Sequence, residues 1–150
     1  MRQVTRKDLE EIYSLRTSLE QFAFRECWNK RDLSALADLK QRNAKLSATV
    51  KAGQDRLRVI EDELHLHSWS YELSGHQLLL QSWNRLMPNL QFYFAMHQQA
   101  HDRPGPKNHA HDIYLELACG DDLEAMLEHL LDHMRQGLEA TMSFISDEKV

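Results

Sequence analysis

Imidazole is the reactive side chain this sequence offers most freely. It holds nine histidines, all between positions 65 and 133. Three stretches set them among apolar neighbours. Glu63 and His67 are one helical turn apart and flanked by Ile60, Leu64 and Tyr71, so a helix carries both on one face. His111 shares a helical face with Tyr114, Leu115 and Ala118, and His133 follows Met126 and Leu130 at helical spacing. Polar groups in such faces are costly to bury without a partner. A bundle that aims Glu63, His67, His111 and His133 at one point makes a ligand set for a divalent transition metal, with positions left for water or a ligand. An imidazole-rich set favours zinc or nickel. Each residue also has a plainer reading. A histidine on an apolar face can be a core residue bonded to a neighbour, and Glu63 with His67 can be a helix pair worth about 0.2–0.5 kcal/mol. His97 with His101, His129 with His133 and Glu72 with His76 repeat the same spacing, so the pattern alone is cheap.

Arg16 is the second polar residue in an apolar stripe, one turn from Ile12 and Leu19. Its guanidinium can serve as a fork for the carboxylate of a small ligand inside the bundle. Glu20, one turn on, is the rival anion, and an internal ion pair would leave Arg16 nothing to bind.

Helices must position these groups. Thr5 with Asp8 has the spacing of a capping box, and Leu9, Ile12, Tyr13, Leu19, Phe22, Ala23 and Cys27 form a stripe, predicting a helix over 5–28. Asp32 caps a second, with Leu33, Leu36, Leu39 and Leu46, which runs to Lys51 and stops at Gly53. A third spans 54–74 with Gly75 after its end, its stripe being Leu57, Ile60, Leu64, His67 and Tyr71. A fourth, 76–101, contains Pro88, which predicts a kink or short break. Asp102–Lys107 reads as a loop, and a short fifth helix covers 108–119 before Gly120. The sixth starts at Asp121 or Asp122, and the tail from Ser146 to Val150 is expected to fray.

The chain has 150 residues, with only five Gly and three Pro. That scarcity of turn residues favours an all-α fold, a single antiparallel bundle of about six helices forming one domain. The net charge is −5, from 18 basic and 23 acidic residues, which argues against gripping DNA alone. Cys27 and Cys119 make neither a disulfide framework nor a zinc ribbon, which suits the cytoplasm. No run is apolar enough to span a membrane.

The sequence resembles the FCD family, the effector-binding C-terminal domain of FadR-type GntR transcriptional regulators. Asp8-Leu-Glu-Glu-Ile-Tyr-Ser-Leu-Arg16-Thr-Ser-Leu-Glu20 is similar to that family's opening helix with its L-R-x-x-L-E run. Glu63-Leu-His-Leu-His67 through Ser74-Gly75-His76 resembles its D-x-x-F-H…s-G-N segment. His111-Asp-Ile-Tyr-Leu through Gly120-Asp121-Asp122 to His133 resembles its closing H-x-x-I-L…G-D…H segment. The likeness covers about 5–140. It implies one divalent ion held by Glu63, His67, His111 and His133, a small organic acid met by Arg16, and a homodimer. Glu63 stands where the family has Asp, Leu66 where it has Phe, and Tyr114 where it has Ile. His76 replaces a common Asn, so it is a further candidate for effector contact. Nothing before Thr5 supplies the family's winged helix-turn-helix. The expectation is therefore an effector domain of a longer regulator or a stand-alone sensor, with DNA reached only through a domain outside this chain.

Two other functions compete with metal-dependent sensing. A ferritin- or haemerythrin-like metalloprotein needs several carboxylates and two metal-binding pairs from facing helices. Here no Glu-x-x-His occurs, only Asp62-x-x-His65. A helical interaction module would have no ligand and incidental histidines. The expected role is not enzymatic.

Overall fold

The computed structural model describes residues 4–53, 55–100 and 111–148. These fold into six α-helices and no strand: α1 (Arg6–Cys27), α2 (Leu33–Lys51), α3 (Arg56–Ser74), α4 (Gln77–Ala100), α5 (Asp112–Ala118) and α6 (Leu123–Glu148). A 3-10 turn, Trp28–Lys30, follows α1. The loop expected at Asp102–Lys107, His101 and the proposed start of α5 at Asn108 lie outside the described residues.

Local signals place most helix ends. Thr5 Oγ1 accepts the Asp8 N–H at 3.1 Å while Asp8 Oδ2 accepts the Thr5 N–H at 2.9 Å, a complete capping box. Asp32 and Asp55 cap α2 and α3 by a single side-chain bond each, accepting the Ala35 and Arg58 N–H. Gly75 ends α3 in the left-handed region at φ 68°, where glycine avoids the Cβ clash other residues meet. Lys30 Nζ donates to the Ser74 carbonyl at 2.6 Å, neutralising one of that helix's orphan acceptors. α4 runs through Pro88 without a break. Pro88 removes one backbone donor, but Pro88 and Asn84 are both exposed, so water can serve the freed Asn84 carbonyl. α6 continues to Glu148, past the point where fraying was expected, because Ser146-Asp-Glu148 contains no Gly or Pro to stop it. Lys149 and Val150 lie outside the described residues.

Two apolar clusters form the core. Leu9, Ile12, Ile60, Leu64, Tyr71, Trp83, Phe94 and Met134 belong to one, Phe24, Leu39, Val59, Leu66, Trp69, Tyr114, Met126 and Leu130 to the other. α3 supplies both, so it is buried on most of its circumference between α1, α2 and α4. Both core tryptophans keep their N–H satisfied. Trp83 Nε1 donates to Ser68 Oγ at 2.7 Å and Trp69 Nε1 to the Ala35 carbonyl at 2.9 Å. Leu33 and Leu57, expected on apolar stripes, are instead 88% and 58% exposed, because each sits in a first helical turn beyond the packed region.

Short α5 is pinned at its C-terminal end. Arg31 Nη1 donates to the Ala118 carbonyl at 2.7 Å and the Gly120 carbonyl at 2.8 Å. The same guanidinium lies 3.3 Å above the Trp28 ring, so stacking fixes its plane.

Candidate functional site

α1 brings Arg16 and Glu20 into the interior, α3 brings Glu63 and His67, and α6 brings His133. His111 stands immediately before α5, at its N-cap. One donor atom each from Glu63, His67 and His111 lie within 4.8 Å of one another. His133 stands beside this group, its ring centroid 6.0 Å from that of His111. Three of the four residues expected as ligands are therefore together, and the fourth is adjacent.

Glu20 holds His67 in place. His67 Nδ1 donates to Glu20 Oε1 at 2.7 Å, and Tyr114 Oη donates to the same oxygen at 3.3 Å. Glu20 is fully buried. Burial alone would raise its carboxyl pKa, but the neighbouring His67 and Arg16 outweigh that and hold it below the ordinary value, so Glu20 is ionised. With Nδ1 bonded to Glu20, His67 turns its Nε2 toward the shared centre.

The centre has unmet bonding capacity. His67 Nε2 and His111 Nε2 are both buried with no hydrogen-bond partner. Glu63 Oε1 lies 3.6 Å from His111 Nε2, beyond hydrogen-bonding distance. Burial, reinforced by His67 and His133, holds the His111 pKa well below the ordinary value. Burial with His67 and Arg16 nearby brings His133 down to about 3. Both imidazoles are therefore neutral at pH 7, the protonation state in which histidine ligates metal. Buried imidazole nitrogens without partners on His67 and His111, beside a carboxylate, fit a divalent ion of borderline softness.

Arg16 is 4% exposed. Its Nε is 3.9 Å from Glu20 Oε2, too far for a hydrogen bond, and Nε and Nη2 have no hydrogen-bond partner. Its Cζ lies 4.8 Å from the Phe94 ring centroid. The rival anion thus spends its short contacts on His67 and Tyr114, and supplies Arg16 with charge at longer range. A shallow recess, too tight to admit a water molecule, lies beside Arg16 between α1 and α4, lined by Ile12, Tyr13, Leu90, Tyr93 and Phe94. His76 sits at the start of α4. Its Nδ1 accepts the Leu79 N–H at 3.1 Å and its ring meets Phe22 edge-on at 5.3 Å.

The role of Glu20 toward His67 went unseen in the sequence, where Glu20 stands out only as a neighbour of Arg16. The pairing depends on how α1 crosses α3, which no local spacing encodes. Tyr114 has a weak signal, a phenol on the apolar face shared with His111. No helix among the described residues is long and apolar enough to cross a membrane.

Comparison with known proteins adds one match. A family model described as the FCD domain matches residues 11–136. No curated relative and no solved structure matches the chain.

Proposed function

Because this chain belongs to the FCD domain family, whose members are effector-binding regulatory domains, we propose that it senses a small organic acid in a metal-dependent manner. The supporting observation is the buried pair His67 and His111, whose unpartnered Nε2 atoms share a centre with Glu63. Glu63, His67, His111 and His133 would hold the ion, zinc or nickel by ligand type. A divalent ion there supplies positive charge for the oxygens of an anionic effector.

The chain's own residues do the remaining work. Glu20 orients His67 through its hydrogen bond to Nδ1. Arg16 offers Nε and Nη2 to a carboxylate in a dry environment, where a charged hydrogen bond is strong. His76 can reach an effector only through Nε2, since Nδ1 caps α4. An effector that binds one arrangement of these helices better than another shifts the population toward it, which is the signal such a domain passes on. The chain acts in this reading as a homodimeric GntR-type regulatory module, with DNA contacted by a separate winged-helix domain.

Metal analysis of protein purified without a histidine tag tests the reading. One divalent ion per chain is expected. Ion-free protein that takes up none when titrated would overturn it, and two ions per chain would favour a ferritin-like centre instead.

A further inference from the structure

Tyr71 carries a hydroxyl that bonds to no other group. It stands one turn beyond His67 on α3, so the two share a face. The residue is fully buried and its Oη has no hydrogen-bond partner. A buried phenol usually finds one. The ring lies flat against that of Trp83, with centroids 4.4 Å apart and 10° between planes. Trp83 is itself fixed by its 2.7 Å bond to Ser68 Oγ, which donates in turn to the Leu64 carbonyl at 2.7 Å. The hydroxyl is therefore held at a set position.

Its surroundings are those of Arg16. Tyr71 packs in one cluster with Ile12, Tyr13, Leu90 and Phe94, which line the recess beside Arg16. Burial raises the Tyr71 pKa well above the ordinary value. The Glu20 carboxylate adds to that rise and Arg16 opposes it, so both charges act on the phenol. Three buried residues thus gather unmet capacity of two kinds. Arg16 Nε and Nη2 and Tyr71 Oη are donors with no acceptor in hydrogen-bonding reach. Glu20 Oε2 is an acceptor with no hydrogen-bond donor, 3.9 Å from Arg16 Nε.

One class of ligand answers all of these. A carboxylate accepts from the guanidinium. A hydroxyl both accepts and donates, so it can lie between Tyr71 Oη and Glu20 Oε2. An unsubstituted carboxylate only accepts, and leaves Glu20 Oε2 unpaired in a dry interior.

We propose that Tyr71 is a specificity residue that selects hydroxycarboxylic acids: its Oη donates to the effector's hydroxyl, which donates to Glu20 Oε2, while Arg16 holds the carboxylate. This rests on the reading of Arg16 as the effector's carboxylate partner. The recess beside Arg16 is too tight for water, so entry of the acid parts the side chains between α1 and α4. No covalent or redox change is involved.

The experiment uses the full chain with Zn²⁺ and two pairs of acids that differ by one hydroxyl, lactate against propionate and malate against succinate. Calorimetric titration gives the affinities, and thermal melts give the stability. The wild type should bind the hydroxy member of each pair roughly tenfold tighter or more. Tyr71→Phe should lose about tenfold for the hydroxy acids, one hydrogen bond of about 1.4 kcal/mol, and change the unsubstituted acids by less than about twofold. Its Zn²⁺ affinity should match the wild type. Its ligand-free melting temperature should hold or rise, since a buried hydroxyl without a partner is deleted. Equal affinity for both members of each pair in the wild type would overturn the proposal. So would a preference that survives in Tyr71→Phe, which would assign it to other groups. A lower melting temperature of the ligand-free variant would make the phenol structural and overturn it too. If the wild type binds none of the four acids, the effector reading itself falls, and the selection by Tyr71 with it.

Discussion

Glu20 and His67 share a 2.7 Å hydrogen bond in the interior, between a carboxylate on α1 and an imidazole on α3, both fully buried. The bond links the two helices that carry the proposed effector and metal residues. Carboxylate partners of this kind fix a ligand histidine's tautomer and raise its basicity. Glu20→Gln keeps the shape, removes the charge and should weaken Zn²⁺ binding by about 10–100-fold in a chelator competition. Glu20→Ala should also destabilise the ion-free fold by about 1–3 kcal/mol, since His67 Nδ1 and Tyr114 Oη lose their acceptor. Wild-type affinity in Glu20→Gln would show that the contact serves only packing.

His67→Ala and His133→Ala should each abolish stoichiometric metal binding, whereas His65→Ala should not. Inductively coupled plasma analysis of the purified variants checks this. His133 is the more searching of the two, because it stands beside the group of three. Retained binding in His133→Ala would reduce the ligand set to Glu63, His67 and His111.

Arg16→Ala separates an effector role from a structural one. If Arg16 serves a ligand, the variant should fold and bind metal, but carboxylates such as citrate or lactate should no longer raise its melting temperature. In the wild type that stabilisation reaches about 2.7 kcal/mol at a hundredfold excess over Kd. If Arg16 matters only as a partner of Glu20, the melting temperature of the ligand-free variant should fall, and carboxylates should have no effect on either protein.

Acid should destabilise the ion-free protein. His111 and His133 have lowered pKa values in the fold, His133 at about 3, while in the unfolded chain both return to about 6.5. Below about 6.5 the unfolded state binds protons that the native state refuses. Their contribution is therefore complete above that pH and is lost progressively on the way down toward about 3 for His133. Glu20, also lowered, adds to the loss at the acid end of the range. Thermal melts of EDTA-treated protein from about pH 7.5 to about pH 4.5 should show a continuous fall. A flat or rising profile would mean that these imidazoles are solvated.

Gly75→Ala should cost about 1 kcal/mol, read as a lower melting temperature with unchanged metal affinity. The backbone there has φ 68°, and an added Cβ would stand 3.2 Å from Lys30 Nζ. The lysine end can shift, so the cost is mainly conformational.

Helix number and caps were legible because they rest on short-range chemistry. Thr5, Asp8, Asp32 and Gly75 act within a few residues of themselves. The face argument likewise brought Glu63 and His67 together, since one helix carries both. Crossings were not legible. α3 is buried on most sides, so its single expected stripe missed Val59, Leu66 and Trp69, and Leu57 lies outside the packed region. The Glu20–His67 bond and the His133–His129 stack also escaped a reading by faces. The first needs an interhelical geometry, and the second needs knowledge of which of several similarly spaced pairs turns inward.

α5 has seven residues and rises about 1.5 Å per residue, so it is a rod of roughly 10 Å. His111 stands at one end and the Arg31 guanidinium grips the other. Only the Arg31 end is held by side-chain hydrogen bonds. A displacement of His111 along the rod would therefore bear on the Ala118 and Gly120 carbonyls that Arg31 grips, at the joint between α1 and α2. α2 contributes no residue to the group of Glu63, His67, His111 and His133, yet it would lie next in line to such a displacement.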